Sequence, residues 1–93
     1  MAEAQRVTAY FSGSVQGVGF RYTAVALARN YPAVTGYIRN LPDGRVELLA
    51  EGAKSDLDAL LAALRSEMAP YVRDVEFRPG KPTGGFARFQ IRR

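Results

Sequence analysis

The stretch Gly13-Ser14-Val15-Gln16-Gly17-Val18-Gly19-Phe20-Arg21-Tyr22 joins a glycine-bearing loop to a helix start that carries a cation. Helix starts favour Asp or Glu, because unpaired N–H groups and the macrodipole make that end positive. Arg21 reverses the preference. A cation there is unfavourable unless an anion occupies the site, so the stretch points to a bound anion, phosphate above all. Glycine allows the tight backbone that turns the N–H groups of Ser14, Val15, Gln16, Gly17, Val18 and Gly19 inward on phosphoryl oxygens, and Arg21 adds a bidentate fork.

The residue types that are missing narrow the chemistry. The sequence has no His and no Cys. A Cys-thiolate phosphatase, a phosphohistidine intermediate, a Ser-His-Asp triad and a zinc site of the His/Cys type are therefore excluded. What remains is attack by water, assisted by Arg, Lys, Asn and backbone N–H groups, with Asp, Glu or Tyr as the other titrating groups.

Composition is that of an ordinary globular chain: 93 residues, 47% apolar and 24% charged. That length reads as one domain spanning 1–93, with a single core. The apolar runs are far too short for a membrane span, and Met1 to Arg6 shows no apolar signal-type region, so a cytoplasmic location with no membrane partner is expected. The lack of cysteine agrees, since small secreted domains often rely on disulfides. Nothing indicates an oligomer, and a monomer is expected. Charge is uneven: between Glu3 and Asp43 no acidic residue occurs, while Arg6, Arg21, Arg29 and Arg39 all fall there. This basic segment suits attraction of a small anion.

These residues need elements to position them. Arg6 to Phe11 alternates, with Val7, Ala9 and Phe11 on one face of a half-buried strand. After the glycine loop a helix is expected from about Tyr22 to Asn30, with Phe20, Ala24, Leu27 and Tyr31 at helical spacing and Pro32 stopping it. Val34 to Asn40 and Arg45 to Ala50 form a hairpin around Leu41-Pro42-Asp43-Gly44. Ser55 is placed to cap a second helix, with Asp58 three residues on, and Leu57, Leu60, Leu61, Leu64 and Met68 make its core stripe. Val72 to Phe77 and Phe86 to Ile91 close the chain as strands. The order predicts an α+β, ferredoxin-like βαββαβ sandwich: an antiparallel sheet with both helices on one face.

On these residues the chain resembles the acylphosphatase family over nearly its whole length. Gly13 through Arg21 is similar to the family's G-x-V-Q-G-V-x-F-R loop at every specified position. Gly36-Tyr37-Ile38-Arg39-Asn40, then Gly44, Val46 and Gly52, resembles its second pattern of G-aromatic-x-basic-N, G-x-V and G. The resemblance implies hydrolysis of carboxyl phosphates to a carboxylate and inorganic phosphate, with Arg21 and Asn40 as the catalytic positions. Phe11, Ile38 and Ala69 depart from the family's commoner residues and read as packing changes.

The residues lead to the same chemistry. Asn40, ending the second strand, has a neutral amide that can accept a hydrogen of water and hold it in line with phosphorus without acting as a base. A site without a strong base suits a good leaving group, and a carboxylate, with a conjugate-acid pKa of about 4, is one. Neither metal nor cofactor is expected, because the loop amides and Arg21 supply the positive charge. Gln16 is expected to tie down the loop through its side-chain amide, Arg39 to be exposed, and Tyr37 to pack on the sheet face away from the helices.

Two other readings were open to the same residues. Gly85-Phe86-Ala87-Arg88-Phe89 faintly resembles a core RNA-recognition motif, but it falls on the final strand and not a central one, so no nucleic-acid partner is expected. The other is a carbamoyl-phosphate-handling domain of the kind that begins larger maturation proteins.

Overall fold

A computed structural model describes residues 3–93. Met1 and Ala2, the first residues of the segment read for a targeting signal, lie outside the described residues. Alternation of apolar and polar side chains produces the first strand, β1 (Ala4–Gly13). Helix α1 (Phe20–Ala28) follows the loop, and β2 (Thr35–Asn40) and β3 (Val46–Ala53) form the expected hairpin. The turn closes by hydrogen bonds from Leu41 N–H to the Arg45 carbonyl and from Gly44 N–H to the Leu41 carbonyl. Helix α2 (Lys54–Glu67), a short 3-10 turn (Ala69–Tyr71), β4 (Val72–Gly80) and β5 (Phe89–Ile91) complete the chain. None of the described helices is long and apolar enough to cross a membrane.

The sheet order is β4-β1-β3-β2-β5. The first four strands pair antiparallel and make the ferredoxin-like core, and α1 and α2 pack on one face. The sheet is not wholly antiparallel, because β5 runs parallel to β2. The cause is the route of the preceding segment. Strand β4 ends beside Arg6, opposite the Glu51 end of β3, and β2 begins at that same end. The chain crosses there, held by Thr83 and Gly84 N–H donating to the Glu51 carboxylate at 2.9 Å each, and so reaches β2 at its start. The last strand is also shorter than expected: Phe86 leaves the ladder and packs on the Tyr37 ring, centroids 5.9 Å apart. Phe89 is buried in the core instead, so the Gly85–Phe89 segment presents no pair of rings on one open face.

Helix boundaries differ from the sequence reading for identifiable reasons. Helix α1 begins at Phe20, because Gly19 already adopts a left-handed conformation that turns the chain into it. It ends at Ala28, short of the expected Asn30. Ser55 does not cap α2. Strand β3 runs straight into the helix, with Ala53 as the extended residue before Lys54 and no side-chain cap. Asp58 accepts from Lys54 Nζ at 2.6 Å, an i,i+4 pair within the helix.

Side chains toward the helices build the core. Val46, Leu48 and Ala50 from β3, Ala9 and Phe11 from β1, and Leu57, Leu60, Leu61, Leu64 and Met68 around α2 are all buried together. Phe11 meets Phe20 with ring centroids 4.9 Å apart, which fastens the first turn of α1 to β1. Burying an aromatic side chain contributes about 1.5–3 kcal/mol, so this contact fixes where the helix start sits relative to the sheet.

Candidate active site

The loop between β1 and α1 meets the end of β2 around a cavity of about 230 Å³ lined by Val15, Gly17, Gly19, Phe20, Arg21, Tyr22 and Asn40. Val15 is fully buried and anchors the loop in the core. Gly17 and Gly19 take φ of +77° and +79°, a region where a side chain is strained, and both face open space. Among the described residues, no backbone acceptor meets the N–H groups of Val15, Gln16, Gly17, Val18 or Gly19. The first turn of α1 has neither an acidic residue nor a side-chain cap, so its amides add to the same positive region.

Ser14 is the exception among the loop residues expected to face an anion. Its N–H donates to the Tyr71 carbonyl at 3.0 Å and is not free. The cause is an irregularity in the β1–β4 ladder between Ser12 and Gly13, which shifts the register and aims the next amide at the turn before β4. The loop amides without a backbone acceptor run from Val15 to Gly19.

Gln16 bridges the loop to the hairpin. Its Nε2 donates to the carbonyls of Leu41 at 2.8 Å and Arg45 at 3.0 Å, using both amide hydrogens. The loop and the residue after Asn40 are thereby held together by one side chain. Asn40 ends β2, and its Oδ1 is buried without a hydrogen-bond partner. A buried acceptor left open costs about 1–3 kcal/mol, so its position calls for a donor in the cavity.

Arg21 lines this cavity and makes no ion pair with any described residue. No three of His, Cys, Asp or Glu converge among the described residues. The donor set consists of N–H groups and a guanidinium, which suits an anion.

The opposite sheet face holds a cluster that the sequence reading did not identify. Glu47 is buried there, accepting from Tyr37 OH at 3.0 Å and Arg39 Nε at 2.7 Å. Burial pushes its carboxyl upward, but hydrogen bonds from Arg39, Tyr37 and Tyr10 outweigh this and hold it below its ordinary value. For Tyr37, burial and then the Glu47 hydrogen bond raise the phenol above its ordinary value. Tyr37 lies on the face away from the helices, and Arg39 is largely exposed but paired. Only the two-residue alternation of Tyr37, Arg39 and Glu47 could have hinted at the cluster. Tyr22 was also missed as a lining residue, although its place directly after Arg21 signals it.

The site and the sandwich together define a class: a small ferredoxin-like α+β protein with unpaired loop amides, one unpaired arginine and an open amide acceptor around one cavity. The acylphosphatase family model matches residues 7–91. An acylphosphatase of Paenarthrobacter aurescens (strain TC1) is 43% identical over 90 residues, covering 96% of this chain and 95% of its own. One of Streptomyces coelicolor is 40% identical over 93 residues, covering 99% and 100%. The crystal structure of an acylphosphatase from Bacillus subtilis superposes with a TM-score of 0.84 at 31% identity, covering 96% of this chain and 99% of that one. The chain belongs to the acylphosphatase family. It is a hydrolase of acyl phosphates.

Proposed function

We propose that the amides of Val15 to Gly19 and the Arg21 guanidinium hold the phosphoryl group of a small acyl phosphate, and that Asn40 holds the attacking water. The observation that carries this reading is the buried, unpartnered Oδ1 of Asn40 in the same cavity as the unpaired Arg21. A water donating one hydrogen to that oxygen has its lone pair directed at a phosphorus seated in the loop. The water oxygen bonds to phosphorus as the bond to the acyl oxygen breaks. The electron pair leaves with the carboxylate, and the water's proton passes to the phosphate.

In a loose transition state, charge spreads over the equatorial oxygens, where preorganised N–H donors and an arginine stabilise it by about 3 to 5 kcal/mol. Asn40 is not basic, so the reaction depends on a leaving group that needs no protonation, and a carboxylate meets that condition. Arg21 and the amides bring the positive charge that a divalent cation would otherwise supply. The cysteine-free sequence supports a cytoplasmic setting.

The test is hydrolysis of benzoyl phosphate by the purified protein in chelator, beside a phosphomonoester. Rapid release of phosphate from the acyl phosphate alone is expected. A folded protein that leaves benzoyl phosphate intact, or cleaves both compounds equally, overturns the reading.

A further inference from the structure

Helix α2 lies on β1 and β3, so the edge strand β4 extends past the helix layer. Between α2 and β4 runs a groove of about 400 Å³ that shares no lining residue with the candidate active site. Two periodicities build its walls. Lys54, Asp58, Leu61 and Arg65 recur every three or four residues along one flank of α2, with Leu57 beside them. On β4, Phe77 pairs with Ala9 and Pro79 with Val7, so both face the helix side of the sheet, where Ala9 is buried in the core. Val7, Leu57, Leu61, Phe77 and Pro79 make an apolar floor, and Phe77 remains 43% exposed.

The charged groups at this floor are not equivalent. Lys54 Nζ and Asp58 Oδ2 neutralise each other at 2.6 Å, and Arg6 is turned to Glu51 at 3.8 Å. Arg65 has no ion-pair partner among the described residues, and its guanidinium stands over the Phe77 ring, 5.8 Å from the centre. The lining is thus an apolar surface with one open cation. We infer that the groove binds a medium-chain carboxylate, its chain on Val7, Leu61, Phe77 and Pro79 and its carboxylate on Arg65. The volume is in the range of small-ligand sites. The eight residues from Leu57 to Arg65 rise about 12 Å along the helix, the reach of an extended chain of about eight to ten carbons. Charge complementarity at Arg65 favours an anion over a neutral apolar molecule, and carboxylates are the compounds that acyl phosphate hydrolysis releases.

The experiment titrates the purified protein with octanoate and, separately, with 1-octanol by calorimetry. Octanoate should bind at one site with a Kd of about 0.1 mM, and octanol about tenfold more weakly. Arg65→Gln should weaken octanoate about tenfold and leave octanol unchanged, whereas Phe77→Ser should weaken both about fivefold. Arg29→Gln, which removes a cation lining the groove between α1 and β5, should change neither. Absence of saturable octanoate binding, equal affinity for the two compounds, or a difference that survives Arg65→Gln overturns the proposal. A loss as large in Arg29→Gln moves the carboxylate to the other groove and overturns it too. If sedimentation shows the wild type as a dimer and Phe77→Ser as a monomer, a second copy covers the groove and the proposal falls.

Discussion

Four arginines, Arg6, Arg39, Arg45 and Arg78, each have a carboxylate close by, at Glu51, Glu47, Asp43 and Glu76 respectively, whereas Arg21 on the helix side of the sheet has none among the described residues. Tyr10 sits beneath two of the paired guanidinium groups, with Arg45 4.9 Å and Arg78 5.2 Å from its ring centre. Their charge is spent within the fold. The exposed pairs, Arg45 with Asp43 and Arg78 with Glu76, contribute about 0–1 kcal/mol each, so losing one of them changes little. Arg21 sits among unpaired amides, where its charge is available to a ligand and acts with preorganised neighbours. The same residue type is thus neutralised within the fold where a carboxylate reaches it and left with an open charge at Arg21.

Arg21→Ala should break the contrast most sharply. Steady-state kinetics on benzoyl phosphate should show kcat/KM falling about 10³-fold, roughly 4 kcal/mol of lost transition-state stabilisation. A loss below tenfold would move the phosphate away from this arginine. The next largest effect is expected from Asn40→Ala, which should lower kcat about 10²-fold while competitive inhibition by inorganic phosphate stays within about twofold of the wild type. If phosphate affinity fell in parallel, Asn40 would belong to the phosphate and not to the water.

Changes on the opposite face should act on stability. Glu47→Gln leaves Tyr37 and Arg39 with a neutral partner and should cost about 2 kcal/mol in urea unfolding at neutral pH. Because the Glu47 carboxyl is held below its ordinary value in the folded protein, its contribution is present above the unfolded carboxyl's pKa and is lost as pH falls through the folded one. Wild-type stability should therefore decline from pH 7 toward about pH 3, and the variant's should decline less. Parallel pH curves for the two proteins would remove Glu47 from the account. The smallest effect is expected from Gln16→Ala, which frees the loop from the Leu41 and Arg45 carbonyls. A KM for benzoyl phosphate raised a few-fold at nearly constant kcat should follow, corresponding to about 1 kcal/mol. An unchanged KM would mean that Val15 anchors the loop without help.

Periodicity made the core legible. Val7, Ala9 and Phe11 at spacing two, and Leu57, Leu60, Leu61 and Leu64 at helical spacing, can bury one face only as a strand and a helix respectively. The hairpin was equally readable, since Pro42-Asp43-Gly44 permits little besides a turn. The proposed anion site rests on an equally local signal, since Arg21 breaks a rule at a helix start and such breaks cluster where a ligand compensates. Element ends were less so. Ser55 has the chemistry of a cap, but β3 had already delivered the chain into α2 one residue earlier.

The sequence by itself determined which segments are strands and helices, which faces they bury and which loop carries unpaired amides, because each follows from residues within a few positions of one another. The tertiary structure decided the rest. Strand β5 runs parallel to β2 because Glu51 holds the crossing chain 32 residues later. Ser14 loses its free amide to Tyr71, and Gln16 reaches Leu41 across 25 residues. Glu47 finds Tyr37 and Arg39 only when β2 and β3 are in register. Contacts between residues so far apart in the chain leave no local pattern, and packing alone brings them together.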